Sequence, residues 1–194
     1  MDNVLIFWLS VVFIAVIGTL AHFLYEWSHH NRIAGLFSAV NESTWEHIKI
    51  ALTAAFIWGF IDGSFYGSDP NYFPAKLISL LIIAFIIPIT FYFYRLFTKK
   101  PILALDIAIF YIAILLGQLA FYGIIFASDV TYTIQYLSCI SLFIFFGCYM
   151  TLTLEPLKNF LFKDPVNGKY GFRAHQHLVK AVKRKRESRR QSKK

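Results

Sequence analysis

Five apolar runs, each long enough to cross a bilayer, restrict the folds open to this chain more than any other feature. They extend over Val4–Tyr25, Ile48–Tyr66, Ala75–Phe97, Ile102–Ala127 and Thr131–Leu154. A helix rises 1.5 Å per residue, so crossing a hydrocarbon layer of about 30 Å takes roughly 20 residues. Inside hydrocarbon every backbone N–H and C=O needs a partner within the protein, and runs of this length meet that need as helices. The expected fold is all-α: a polytopic membrane bundle of five transmembrane helices in residues 1–155. Residues 156–194 are expected to form an amphipathic foot, Leu157 to Phe162, followed by a basic tail. With 57% apolar and 15% charged residues, against about 25% charged in soluble domains, too little polar surface remains to cover a soluble sphere. A water-soluble enzyme and a disordered chain are both excluded.

The net charge of +8 is unevenly placed, because residues 156–194 carry 13 of the 19 Lys and Arg with only Asp164 and Glu187 as acids. Lys and Arg collect in short cytoplasmic loops. Arg32, Lys49, Arg95, Lys99 and Lys100 mark the first and third connections, whereas the second and fourth hold no basic residue before Lys76. The expected topology has the N-terminus outside and the C-terminus in the cytoplasm, as a multi-pass protein of the plasma membrane. The partners this implies are the bilayer, anionic phospholipid headgroups held by the tail, and further copies of the chain in a homo-oligomer. No nucleic-acid recognition motif is present, so no specific nucleic acid is expected. The first run is too long for a signal-peptide core and has no preceding Lys or Arg, so it is expected to be retained. Cys139 and Cys148, nine residues apart in one apolar run, fall on opposite helix faces and predict neither a disulfide nor a thiolate metal site.

The chemistry is concentrated in the first connection, the cytoplasmic loop 26–47, and its flanks. Residues 22–49 read HFLYEWSHHNRIAGLFSAVNESTWEHIK, with four His and three Glu between two apolar spans. His22, Glu26 and His29 follow i, i+4, i+7 and would share one face of a helix continued from the first span. Imidazole and carboxylate are ligands that zinc and related divalent metals accept, which makes these three the candidate metal ligands. Glu42, Glu46 and His47 begin the second span, and Asp106 lies a turn inside the fourth from the same side. Together with His22 and Glu26 they form the candidate acid–base or catalytic set. Structural duties compete for several of these residues. Ser43-Thr44-Trp45-Glu46 has the pattern of a capping box, Glu46 and Lys49 can pair at i, i+3, and Asp106 can pair with Arg95, Lys99 or Lys100. Asp62, near the outer end of its span, reads as a solvated carboxylate, and Gln118 and Gln135 as hydrogen-bonding glue between helices. His175 and His177 are too weak a pair to mark a metal site.

At HFLYEW, GLFSAVNESTWEHIK, LDIAIF and FKDPVNGKYG the sequence resembles an uncharacterised family, a domain of unknown function, of small bacterial multi-pass membrane proteins. The resemblance extends from Gly18 to about Gly171, and its most specific part is NES-x-WEH, here Asn41, Glu42, Ser43, Trp45, Glu46 and His47. Proline is common in that family where this chain has Ala39, and the basic end after Gly171 is not part of the pattern. The resemblance implies the membrane class and supplies no reaction. Three functions are therefore compatible with the sequence. One is a membrane-embedded enzyme acting on a lipid or lipid-linked substrate with the His/Glu cluster as its metal or acid–base site. A small proton- or cation-coupled transporter or channel is the second, and a non-catalytic membrane scaffold the third.

Overall fold

The computed structural model describes residues 2–98 and 100–172. Among these it contains six helices: α1 (Asn3–Trp27), α2 (Arg32–Phe37), α3 (Thr44–Tyr66), α4 (Tyr72–Arg95), α5 (Leu103–Ile125) and α6 (Tyr132–Leu154). All but α2 are long and apolar enough to span a membrane, each within a few residues of its expected run. No strand occurs among the described residues, whose one bridge joins Lys163 to Tyr170. The basic tail from residue 173 onward and Lys99 lie outside the described residues.

The helices are arranged around α3, which contacts α1, α2, α4 and α5. Its hydropathy is the lowest of the five spans, 1.4 against 1.9 to 2.7, yet it is the most buried, 56% against 17–28%. That inversion follows from the solvent. Lipid selects greasy outward faces, while small and polar residues are the ones that hold helices together. Ala51, Ala54 and Ala55 let neighbours approach α3 closely, each at most 1% exposed. The α4–α5 seam uses Gly117 in the same way: a Cβ there would stand 2.7 Å from Ile83 Cγ1 and 3.0 Å from the Ser79 carbonyl. Gln118 Nε2 donates to Ser79 Oγ across that seam at 3.4 Å, the role expected for it.

At the end formed by the α3–α4 and α5–α6 turns, Asn71 ties both turns together. Its Nδ2 donates to the carbonyls of Ile124, Ala127 and Ser128 at 3.0, 3.1 and 3.3 Å, and its Oδ1 accepts from Val130 N at 2.9 Å. Nearby, Asp62 is not the solvated carboxylate the sequence suggested. It is fully buried, with Oδ2 2.6 Å from Lys76 Nζ and Oδ1 accepting from Tyr72 Oη at 2.8 Å. The lone lysine of α4 faces it across the helix pair, and the mutual attraction outweighs the reach to water.

At the opposite end, the first connection folds back along α1 instead of extending into solvent. Ala39 N donates to the Ala21 carbonyl at 3.3 Å, about 9 Å up α1 from its end. The short α2, capped by Asn31 Oδ1 on Ile33 N at 2.8 Å, packs against α1, α3 and α6. A Cβ on its Gly35 would collide with the Phe172 ring. A buried ion pair holds this connection in place. Lys49 Nζ and Glu46 Oε2 are 2.6 Å apart, Lys49 Nζ also donates to the Gly35 carbonyl at 3.0 Å, and Glu46 Oε2 accepts from Val40 N at 3.0 Å. One i, i+3 pair on α3 thus satisfies a donor and an acceptor of the loop lying over it.

The expected capping box does not form, because Glu46 is committed to Val40 and Lys49. Ser43 is the N-cap residue but makes no side-chain cap bond, and its hydroxyl is buried without a partner. Its amide is held by Asn41 Oδ1 at 2.8 Å. The segment 157–162, where the amphipathic foot is expected, contains no helix. It turns back over the bundle, where the Leu161 carbonyl accepts from Trp45 N at 3.0 Å and Phe162 packs 5.0 Å from the Trp45 ring. Asn41 Nδ2 meanwhile donates to the Gly171 carbonyl at 3.2 Å. The NES-x-WEH and FKDPVNGKYG segments are therefore two sides of one closure.

Two stability predictions follow from these contacts, both read as unfolding of detergent-solubilised protein. Lys49→Met leaves the Glu46 carboxylate buried and unpaired and should cost about 3–5 kcal/mol, whereas Glu46→Gln/Lys49→Met should cost clearly less than that single variant. Gly117→Val, which forces α4 and α5 apart at Ile83, should cost about 1–3 kcal/mol.

Candidate functional site

Residues 41–47 leave α3's first turn with side chains pointing in several directions, since successive helical residues rotate by about 100°. Asn41, Trp45 and Glu46 are engaged in the closure described above, and Ser43 is enclosed by it. Glu42 and His47 are turned instead toward α1, where they meet His22. The His22 and His47 rings lie 5.6 Å apart between centroids, and His22 Nε2 is 3.9 Å from Glu42 Oε1. Glu42 is about half exposed, 52%, and His22 is 29% exposed, so the cluster opens on one side. Glu46 lies close enough to act on the His22 charge as well.

Hydrogen bonding fixes which nitrogens are available. His47 Nδ1 lies 3.0 Å from the Ser43 carbonyl, an acceptor only, so Nδ1 carries the proton and Nε2 keeps its lone pair in the neutral ring. His22 Nε2 faces the Glu42 carboxylate, which likewise favours a proton on that nitrogen. His22 Nδ1 is then the lone-pair nitrogen, and it is buried with no hydrogen-bond partner. At 3.9 Å the His22–Glu42 contact is longer than a hydrogen bond, a looseness common in catalytic groups before substrate binds. A carboxylate orienting one imidazole beside a second is an arrangement able to take up and deliver protons.

The other four candidates, Glu26, His29, Glu46 and Asp106, lie outside this cluster. Helix α1 ends at Trp27 and His29 adopts a left-handed backbone, φ 54°, so the i, i+4, i+7 face of His22, Glu26 and His29 is not assembled. Glu26 Oε2 pairs with His30 Nε2 at 3.2 Å. Glu46 belongs to the clamp beneath the cluster, not to its open face. Asp106 accepts from Tyr94 Oη and, among the described residues, forms no ion pair with a basic residue. Among the described residues no group of three or more His, Cys, Asp or Glu is arranged to hold a metal ion. Cys139 and Cys148 are both free thiols.

The His22–His47 contact was the part that sequence reasoning missed. Both histidines were candidates, yet nothing in their spacing, 25 positions apart, signals that they meet. The only available hint was that each stands one apolar helix turn from the same connection, so that helices packed side by side would bring them level.

Comparison with known proteins supplies a family and no reaction. No curated protein and no solved structure matches the chain. The model of a Family of unknown function (DUF6512) matches residues 3–172, a span that includes all six helices and the closure over them. The chain is an integral membrane protein and belongs to that family.

Proposed function

We propose that this protein is a membrane-embedded acid–base enzyme acting on the polar end of a lipid or lipid-linked substrate, with His22, His47 and Glu42 as its proton-transfer group. The observation that carries the reading is the His22 imidazole, whose Nδ1 is buried and unpartnered while its Nε2 faces the exposed Glu42 carboxylate and the His47 ring lies beside it. A polar atom enclosed at the edge of hydrocarbon is costly unless it is used. In the proposed mechanism His22 accepts a proton from the substrate at Nδ1. Glu42 holds the ring's orientation and balances the imidazolium that forms, which returns the same proton to the departing group, while His47 Nε2, keeping its lone pair, accepts a hydrogen bond that positions the substrate.

His22 lies five residues from the end of α1, about 7.5 Å in, a depth that headgroup-proximal atoms of a lipid reach. The cluster is on the cytoplasmic side in this reading, because Arg32, Arg95, Lys100, Lys158, Lys163 and Lys169 border the same end of the bundle. Lys49 does not count toward that rule, being consumed by its ion pair. The membrane is the plasma membrane, and the tail from residue 173 adds its positive charge to the attraction for anionic headgroups.

The test is turnover in lipid nanodiscs supplied with a total lipid extract and lipid-linked precursors, with headgroup products followed by mass spectrometry. His22→Ala and His47→Ala should each lower product formation by about 100- to 10,000-fold with unchanged melting, while Glu26→Ala and Asp106→Asn should stay near wild type. Turnover that survives both histidine variants would refute the assignment. Elemental analysis of the same preparations separates a second chemistry: one divalent metal per chain, lost in His22→Ala, would replace proton transfer with metal-assisted catalysis. Glu42→Gln, which keeps shape but removes charge, should fall between wild type and His22→Ala.

A further inference from the structure

On the side of α3 away from the histidines, α3, α4 and α6 enclose a lateral groove of about 580 Å³, within the roughly 300–1,000 Å³ of ligand sites. Small side chains create it. Gly59, Thr53 and Cys139 line it, and its lips are the aromatic rings of Phe60 and Phe143, 85% and 75% exposed. Along α4 it runs from Tyr72 to Leu80, eight residues or about 12 Å, close to the ~15 Å depth of one leaflet's hydrocarbon.

The lining is apolar apart from Thr53, whose hydroxyl is taken up by the Lys49 carbonyl and Tyr149 Oη, and the end where Tyr72 and Lys76 stand. Lys76 is 6% exposed and lies four residues, about 6 Å, inside α4 from Tyr72, where the hydrocarbon meets the interfacial layer. Among the described residues its ammonium has one hydrogen-bond acceptor, Asp62 Oδ2 at 2.6 Å, and the Phe121 ring 5.5 Å away. An ammonium has three donors. At least one N–H therefore lacks an acceptor, in a place where water is scarce and an unmet donor is expensive.

We propose that this groove binds one acyl chain of a glycerolipid from the leaflet on the α3–α4 side, with the chain's ester carbonyl accepting from Lys76 Nζ. The occupant follows from three matched features. Groove depth fits a single leaflet, the lining fits a hydrocarbon chain, and the one unfilled donor sits at the level of the ester. The Asp62–Lys76 pair is neutral as a whole, so it attracts a carbonyl dipole more readily than a full charge. Since His47 is on the other face of α3, this site is separate from the proposed acid–base cluster.

The probe is a diazirine-tagged diester phosphatidylglycerol in nanodiscs, compared with its diether analogue, with photolabelled residues mapped by mass spectrometry. Labelling should concentrate on the groove face of α6, at Cys139, Leu142 and Phe146, over Ile140 and Ile144 on the lipid face. Cys139→Trp, which fills the groove, should lower it about tenfold, the loss expected when a couple of buried methylenes are displaced, while Ile144→Trp should leave it unchanged. The diester should label more than the diether, and Asp62→Leu/Lys76→Met should abolish that difference. Even labelling around α6, indifference to Cys139→Trp, or equal labelling by diester and diether in the wild type would each overturn the proposal.

Discussion

The Glu46–Lys49 ion pair is the contact on which one end of this molecule depends. Two charges withdrawn from water at a helix terminus would be a liability alone, since their desolvation competes with their attraction. Here each partner also meets the backbone of the first connection, Glu46 at Val40 N and Lys49 at the Gly35 carbonyl. The pair therefore does the work that a strand ladder or helix would do for an irregular segment: it gives buried peptide groups their partners. With the connection pinned, α2 can pack against α6, where Tyr149 Oη reaches the Leu36 carbonyl at 3.1 Å and Thr53 Oγ1 at 2.7 Å. The segment after α6 then has a fixed surface to close upon.

The pair at the other end solves a different problem. Asp62 and Lys76 join two helices rather than a helix and a loop, and Tyr72 completes the carboxylate's shell. Between Lys49 and Asp62, α3 carries no charged residue over twelve positions, about 18 Å. The charges of α3 thus sit near its ends, where interfacial water and lipid esters lower the cost of any imperfect pairing. Its middle is left to Ala and aromatic packing. This distribution explains how the least apolar span can be the innermost one.

Span number and span position were legible in the sequence, because each rests on residue runs and local spacing. Pairing across the bundle was not. Asp62 and Lys76 are 14 positions apart on different helices, and no periodicity within either helix announces their meeting. The i, i+4, i+7 reading of His22, Glu26 and His29 failed for a specific reason: it assumed that α1 continues past Trp27, where two consecutive left-handed residues, His29 and His30, turn the chain. The capping-box reading of Ser43 and Glu46 failed through competition. A loop amide and an ammonium outbid the local N-terminal amide for the same carboxylate, and only the tertiary fold brings them into range.

That competition also clarifies what the NES-x-WEH segment contains. Neighbouring residues on α3's first turn diverge by about 100° each, so a single short stretch must serve two directions. Asn41, Trp45 and Glu46 face the closure made by residues 161–172 and the α2 connection, where Asn41 and Glu46 hydrogen-bond and the Trp45 ring packs on Phe162. Glu42 and His47 face the other way, onto α1, where His47 Nδ1 holds the Ser43 carbonyl and Glu42 lies beside His22, leaving His47 Nε2 uncommitted. At a membrane interface an apolar residue would be the cheaper occupant. The Glu46–Lys49 clamp beside them keeps both residues in fixed register with His22, which is the rigidity that the proposed proton transfer between small groups would demand.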